Sequence, residues 1–302
     1  MLIPPFLSSG DTIGICATAR KIDKEVLEPA IEILKGWGLT VVLSSNIYSC
    51  DNQYAGTDYQ RAQGLQELIN REDVNAIIVV RGGYGTVRII DQINFDPLKT
   101  RPKWICGYSD VTVLHSHLCT QHQMATLHCT MPVNFKLNED ALESVRKALF
   151  GEELRYLIPT DLGNKNGKAH GKIIGGNLSL LYALAASGSD IETSGKILFI
   201  EDLDEYLYHV DRMMIQLKRS GKLKNLAGLI VGGFTDMKDN TVPFGKNAYQ
   251  IIADAVKEYH YPVCFNFPAG HQELNKAIYF GLDAVLDVSE QEVKLYYPHI
   301  LS

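Results

Sequence analysis

Three residues of types that cooperate in hydrolysis, a serine, a carboxylate and a histidine, each stand where a β-like apolar run gives way to a loop: Ser109, Glu201 and His271. A serine hydroxyl is a poor nucleophile at neutral pH. It needs a base within hydrogen-bond reach, and that base needs a carboxylate to fix its tautomer and stabilise the imidazolium. Ser109 lies in KWICGYSDVTVLHSHL, Lys103 to Leu118, where apolar Trp104–Cys106 runs into Gly107-Tyr108-Ser109-Asp110 and then into helical spacing through Val113, Leu114 and Leu118. A serine on a sharp strand-to-helix turn exposes its hydroxyl and sets the following N–H groups at a helix N-terminus, where they can stabilise an oxyanion. The second glycine of the G-x-S-x-G pattern is missing, because position 111 is valine. Ser109 or Asp110 would serve equally well as a helix cap. The stretch alone does not choose.

The glycine-rich VVRGGYGTVR, Val79 to Arg88, follows a buried-strand pattern. Adjacent glycines let a backbone approach a ligand closely with its N–H groups exposed. A phosphate loop, an oxyanion loop donating from Gly83, and a plain turn all fit; the glycine spacing and the missing Lys-Ser/Thr speak against the phosphate loop. In KILFIEDLDEYLYHVDR, Ile197–Ile200 runs straight into Glu201, Asp202, Asp204 and Glu205. Such carboxylates orient a histidine, bind a cation or cap a helix. A metal site would recruit His209 and Asp211, yet neither the H-E-x-x-H nor the EF-hand spacing is present. His271 sits on a Gly-flanked loop after Pro268-Ala269-Gly270, a place from which a side chain can be presented. His115 and His117 cannot share a helix face, so no paired metal site is expected from them. Their replacement is expected to spare the chemistry.

The elements that must position these residues follow from hydropathy. The 302 residues are 46% hydrophobic and 21% charged, the profile of a globular protein long enough for two domains. A net charge of −6, with no dense Lys/Arg cluster, gives no footprint for nucleic acid. The N-terminus lacks a basic region, Pro4, Pro5 and Asp11 interrupt its apolar run, and no run long enough to span a membrane occurs; a cytoplasmic protein is expected. The six cysteines are scattered with no CxxC pair, which reads as reduced thiols.

Strand and helix patterns alternate through the first half: DTIGICAT, KEVLEPAIEILKGWG, LTVVLSS, DYQRAQGLQELINRED, VNAIIVVRGG, a short helix in GTVRIIDQI, KWICGYS and DVTVLHSHLCTQH. The alternation predicts an α/β fold with a doubly wound, mostly parallel, flavodoxin-like sheet, whose ligands bind at the carboxyl ends of the strands. The boundaries expected are an N-terminal α/β domain over 1–155, a polar, Gly- and Lys-rich linker over 156–170 with room for a hairpin, and a mixed α/β domain over 171–302. That second domain should hold strands at GKILFIED and LAGLIVGGF, helices at NLSLLYALAAS, LYHVDRMMIQLKRSG and NAYQIIADAVKEYH, and two closing β segments.

The chain resembles the LD-carboxypeptidase family of serine peptidases, the muramoyltetrapeptide carboxypeptidases and related microcin immunity proteins. The resemblance is carried by GDTIGICATA, AGTDYQRAQGLQEL, VVRGGYG, CGYSDVTVLH, IIGGNLSLL, ILFIEDLDE, YHVDRMMIQLKRSG and FPAGHQ, in that order. It implies Ser109 as nucleophile, His271 as general base, Glu201 as the acid that orients it, and an oxyanion hole from the N–H groups of Gly83 and Asp110. It also implies an active site at the junction of two domains, a homodimer, and hydrolysis of the amide between the L-centre of a diamino acid and the terminal D-alanine of a murein tetrapeptide, with no metal or cofactor. Arg81 or Arg88 is the expected partner of the free carboxylate, with Tyr84 as a further substrate contact. The chain departs from the family pattern at Ala17-Thr18-Ala19, at His209 and at His128-Cys129-Thr130. These positions bear on substrate preference and lie outside the proposed triad. The alternatives are an immunity-type amidase acting on a peptidyl- or aminoacyl-nucleotide, for which Trp37 and Trp104 are the candidate base platforms, a non-catalytic small-molecule binder, and a metal hydrolase built on the acidic cluster.

Overall fold

Strands that are apolar on both faces have to be covered on both faces. In the computed structural model, which describes residues 1–298, this requirement yields two sheets packed through a shared core. The first half supplies β1 (Thr12–Cys16), α1 (Lys24–Gly36), β2 (Thr40–Leu43), α2 (Asp58–Asn70), β3 (Val74–Val79), α3 (Pro97–Thr100), β4 (Trp104–Gly107), α4 (Thr112–Gln121), β5 (Thr126–His128) and α5 (Glu139–Leu149). The second half supplies β6 (Arg155–Pro159), β7 (Gly167–Asn177), α6 (Leu178–Ala183), β8 (Ile197–Leu203), α7 (Leu207–Arg219), β9 (Gly228–Thr235), α8 (Ala248–Val256), β10 (Val263–Cys264), β11 (Ile278–Phe280), β12 (Asp283–Val288) and β13 (Glu292–Tyr296). Among the described residues no helix is long and apolar enough to cross a membrane.

The first sheet runs β2-β1-β3-β4-β5-β11, with β1 to β5 parallel. This is the flavodoxin-like order, and it reverses between β1 and β3, so the loops after those two strands flank a crevice. The short helix expected in GTVRIIDQI forms as two 3-10 turns, Thr86–Arg88 and Ile90–Gln92. The second sheet runs β10-β9-β8-β7-β12-β13-β6, parallel from β10 to β7 and antiparallel from β7 to β6.

Two expectations change. Residues 156–170, read as a linker, hold most of β6 and the start of β7, and these strands do not pair with each other: β6 closes the outer edge against β13, while β7 pairs with β8 and β12. β11, expected in the C-terminal unit, returns to the first sheet, antiparallel to β5 through Ile278↔His128. One apolar cluster accordingly runs from Ile13 and Trp104 through Phe280 to Phe199 and Leu286.

The two sheets also touch at the start of α4. A methyl built at Gly176, where φ is +138°, would stand 2.4 Å from Thr112 Oγ1 and 2.7 Å from Thr112 Cγ2. The N–H of Asn177 donates to the same Oγ1 at 2.9 Å. This close approach sets α4, and the turn before it, against the end of β7. Gly176→Ala should therefore cost about 2–4 kcal/mol through overpacking and backbone strain together. Gly36→Ala, which meets no neighbouring atom within 4 Å, should be neutral or slightly stabilising. Urea denaturation midpoints check the pair, and equal shifts would remove the steric argument.

Candidate active site

β4 ends at Gly107, and the chain turns so sharply into α4 that Ser109 takes φ +62°. A non-glycine residue in this left-handed region costs of order 1 kcal/mol or more and persists only where its surroundings impose it. Here they do. Gly107 (φ +147°) lies so close to Val111 that a methyl would come within 2.8 Å of Cγ2, so the valine that breaks the two-glycine pattern fills the space under the turn. His115 braces it from below, with Nε2 2.9 Å from the Gly107 carbonyl and Nδ1 2.8 Å from Thr126 Oγ1. Burial pushes the His115 pKa down to about 4, so the ring is neutral, donates from Nε2 and accepts at Nδ1. His115, whose replacement is expected to spare the chemistry, thus lies against the turn that carries Ser109.

Glu201 lies within the buried run of β8, which continues to Asp202, and is completely inaccessible. Its Oε2 accepts from His271 Nδ1 at 2.5 Å and from the His271 N–H at 3.1 Å. That fixes the tautomer of the neutral ring, leaving Nε2 as acceptor for the Ser109 hydroxyl, 3.0 Å away. The carboxylate gets this near because residue 270 is glycine at φ +101°, where a methyl would stand 2.6 Å from Glu201 Cβ. The loop is held by Gly270 N–H to Asn275 Oδ1 at 2.8 Å and Thr235 Oγ1 to the His271 carbonyl at 2.8 Å. Burial alone would lower the His271 pKa. The charge and hydrogen bond of Glu201 outweigh it, and the net displacement is upward. A hydroxyl hydrogen-bonded to such an imidazole can lose its proton as it attacks.

The glycine loop after β3 lies directly against Ser109, since a methyl on Gly82 would come within 2.9 Å of both Cβ and Oγ. Buried polar contacts lock that loop in place. Asp110 Oδ2 accepts from the Thr86 N–H at 2.8 Å, Thr86 Oγ1 donates to Thr18 Oγ1 at 2.8 Å, and Arg61 donates to the carbonyls of Thr18 (2.6 Å), Gly85 (2.9 Å) and Gly56 (3.3 Å). Arg61 is fully buried and forms an ion pair with Asp58. The sequence does not single out Arg61, and it offers the Asp110 carboxylate only as a helix cap, whereas the structure turns it to the Thr86 N–H.

A cavity of about 600 Å³ opens over Ser109 and His271 between the two sheets. Arg20, Arg81, Gly83 and Tyr84 line one wall, and Asp202, Asp204 and Glu205 line the other. Arg88 is elsewhere, held by Asp58 at 2.7 and 3.0 Å, which removes it as a carboxylate partner. Trp104 is fully buried, and Trp37 packs on Phe135, so neither reaches the cavity. Asp202 caps α6 by accepting from the Ser179 N–H at 2.9 Å and from Asn177 Nδ2 at 2.9 Å; burial, and then the Glu201 charge, push its pKa up to about 7. His209 is engaged with Glu205 at 2.5 Å, and His117 with Ser189 at 2.9 Å. Among the described residues no group of three His, Cys, Asp or Glu side chains gathers as a metal site.

Residues 13–129 match the family model of the LD-carboxypeptidase N-terminal domain, and residues 170–286 that of the LD-carboxypeptidase C-terminal domain. A protein named probable murein peptide carboxypeptidase, from Bacillus subtilis (strain 168), is 33% identical over 299 residues, covering 95% of this chain and 92% of its own. The crystal structure of muramoyltetrapeptide carboxypeptidase from Oxalobacter formigenes superposes with a TM-score of 0.86 at 26% identity, over 95% of this chain and 98% of the other. The microcin self-immunity protein MccF, solved with aspartyl sulfamoyl adenosine, superposes with a TM-score of 0.87 over 100% of both chains; at 22% identity it speaks for the fold alone.

The Glu201–His271 contact has a measurable signature. By NMR, His271 should titrate above the ordinary 6.5 in the wild type and below it in Glu201→Gln, where burial acts without the opposing charge. The raised value means the pair's pH-linked contribution to stability is fully present below about pH 6.5 and is lost as pH rises through the folded-state pKa. An unchanged titration in Glu201→Gln would refute the electrostatic role.

Proposed function

The chain belongs to the LD-carboxypeptidase family of peptidases, and on that premise we propose that it releases the terminal D-alanine of murein tetrapeptides by way of an acyl-enzyme on Ser109. One observation carries this reading: Ser109 Oγ, His271 Nε2, His271 Nδ1 and Glu201 Oε2 stand in unbroken hydrogen-bond succession at the floor of the cavity. In the proposed course Ser109 Oγ attacks the carbonyl of the diamino-acid L-centre while His271 Nε2 takes the hydroxyl proton. The oxyanion settles between the N–H groups of Gly83 and Asp110. Neither N–H of the Gly82-Gly83 pair has an acceptor among the described residues, and the amides of a first helical turn have none within their helix. The imidazolium, stabilised by Glu201, then gives its proton to the departing amine of D-alanine. Water, deprotonated by the same ring, cleaves the ester and frees the shortened peptide and Ser109. Each proton taken is returned.

Arg81 and Tyr84 face the cavity and are proposed substrate contacts. The division of labour between a serine-bearing N-terminal domain and a C-terminal domain that carries acid and base belongs to the same proposal, as do a homodimer and a cytoplasmic location. All six cysteines are free thiols, which accords with a reducing compartment. A second reading is favoured by Tyr84, which is half exposed at the cavity: it offers a face on which a nucleobase can stack, as an immunity-type amidase would need.

Mass spectrometry of a murein tetrapeptide incubated with the wild type should show loss of one alanine, and Ser109→Ala should show none. Release from an aminoacyl-nucleotide but not from the tetrapeptide would transfer the assignment to the second reading. Ser109→Ala and His271→Ala should each lower kcat by about 10⁴-fold or more, with the double variant little worse than either single one, because the residues act as a unit. Small additive losses would dismantle the triad.

A further inference from the structure

A peptidase that removes only the last residue has to hold a free carboxylate one residue beyond the bond it cuts. Arg20 and Arg81 are the guanidiniums on the cavity wall nearest the glycine loop. Arg81 is already engaged, with Nη1 donating to the Lys21 carbonyl at 3.2 Å. Arg20 makes no ion pair among the described residues, yet its root is fixed. It forms a β-bridge with Tyr54, flanked by Ala55 N–H to the Ala19 carbonyl at 3.0 Å and Lys21 N–H to the Gln53 carbonyl at 3.1 Å. Its stem lies across Gly83, where a methyl would stand 2.6 Å from Arg20 Cγ, 2.7 Å from Cδ and 2.9 Å from Nε.

That contact sets a spacing. Gly82 abuts the Ser109 hydroxyl and Gly83 abuts the Arg20 side chain, and consecutive Cα atoms are about 3.8 Å apart. The nucleophile and the cation are thus offset by one residue along the loop. In a substrate, the scissile carbonyl and the terminal carboxylate are offset by one residue as well. Among the lining residues the guanidiniums stand only beside the glycine loop, whereas the β8 side carries Asp202, Asp204 (paired with Lys238 at 2.7 Å) and Glu205 (paired with His209), and this asymmetry favours one orientation of the peptide.

We propose that Arg20 is the specificity-determining residue of this enzyme, its guanidinium binding the terminal carboxylate of the leaving residue while Arg81 holds the Arg20–Lys21 segment in place. The proposal rests on the carboxypeptidase reading above. A planar fork of N–H donors suits a carboxylate better than a point charge does.

The test compares a murein tetrapeptide with its C-terminal carboxamide. Arg20→Met keeps an unbranched stem over Gly83 and removes the fork. The wild type should favour the acid in kcat/KM by about 10- to 100-fold, the range expected for a charge-assisted hydrogen-bonded pair. In Arg20→Met the acid-to-amide ratio should fall close to one, and Arg20→Lys should recover part of it. A ratio unchanged in Arg20→Met, or an equal loss on both peptides, overturns the proposal, since a merely structural role lowers both alike. Calorimetry on Ser109→Ala and Ser109→Ala/Arg20→Met separates this outcome from the catalytic reading. Acid-selective binding that needs Arg20 sustains the proposal even if the wild type releases no D-alanine. Binding of neither peptide, or unselective binding, overturns it whatever the wild type cleaves.

Discussion

With no access to solvent, the Arg61 guanidinium has to find its acceptors inside the protein, and two of those it finds are carbonyls in the loops that follow β1 and β3. A buried charge left without partners would cost several kcal/mol, so the two loops are held to the geometry that satisfies it. Thr18, Thr86 and the Asp110 carboxylate extend the restraint to the serine turn. Three loops at the reversal of the strand order thereby behave as one rigid piece. Ser109 can then occupy a backbone conformation it would not choose alone, and Gly82 can lie in contact with its hydroxyl.

The second sheet contributes through a different physical device. Glu201 and Asp202 are consecutive on β8, where its pairing with β9 shifts register, and their carboxylates serve different partners. One is aimed at the His271 loop, and the other at Asn177 and the start of α6. Two adjacent buried carboxylates repel each other, and the upward displacement of Asp202 is part of that cost. It is offset because each is hydrogen-bonded to a different structure: Asp202 holds the second sheet's helix in place, while the Glu201 charge remains available to the imidazole.

Much of this was legible in the sequence, for identifiable reasons. Buried parallel strands read as unbroken apolar runs, so β1, β3, β4 and β8 are evident in the sequence; Ser109 and Glu201 stand out as polar residues at or near the close of such runs, and His271 as a histidine on a glycine-flanked loop. Arg61 did not, because an arginine in a helical pattern looks like any solvated charge until the chain folds over it. The Asp110 carboxylate reads as a cap for the helix that follows it, because its true partner, the Thr86 N–H, is 24 residues away, and Arg20 lies outside every recognised motif. β6 reads as linker in the sequence because it is an outer strand whose residues alternate between exposed and covered, and because its partner β13 is more than a hundred residues further on. Edge strands with distant partners carry little local signal.

The serine and its imidazole come from positions 162 residues apart, and β11, which completes the first sheet, lies beyond both. A chain emerging from the ribosome presents the serine turn long before Glu201, His271 or that last strand exists. On the proposed mechanism the hydroxyl is therefore an ordinary alcohol throughout most of its synthesis, and its activation waits for one of the final folding events. Under that proposal the topology makes arrival of these last elements the activating step, since base, orienting acid and closing strand all follow the serine in chain order.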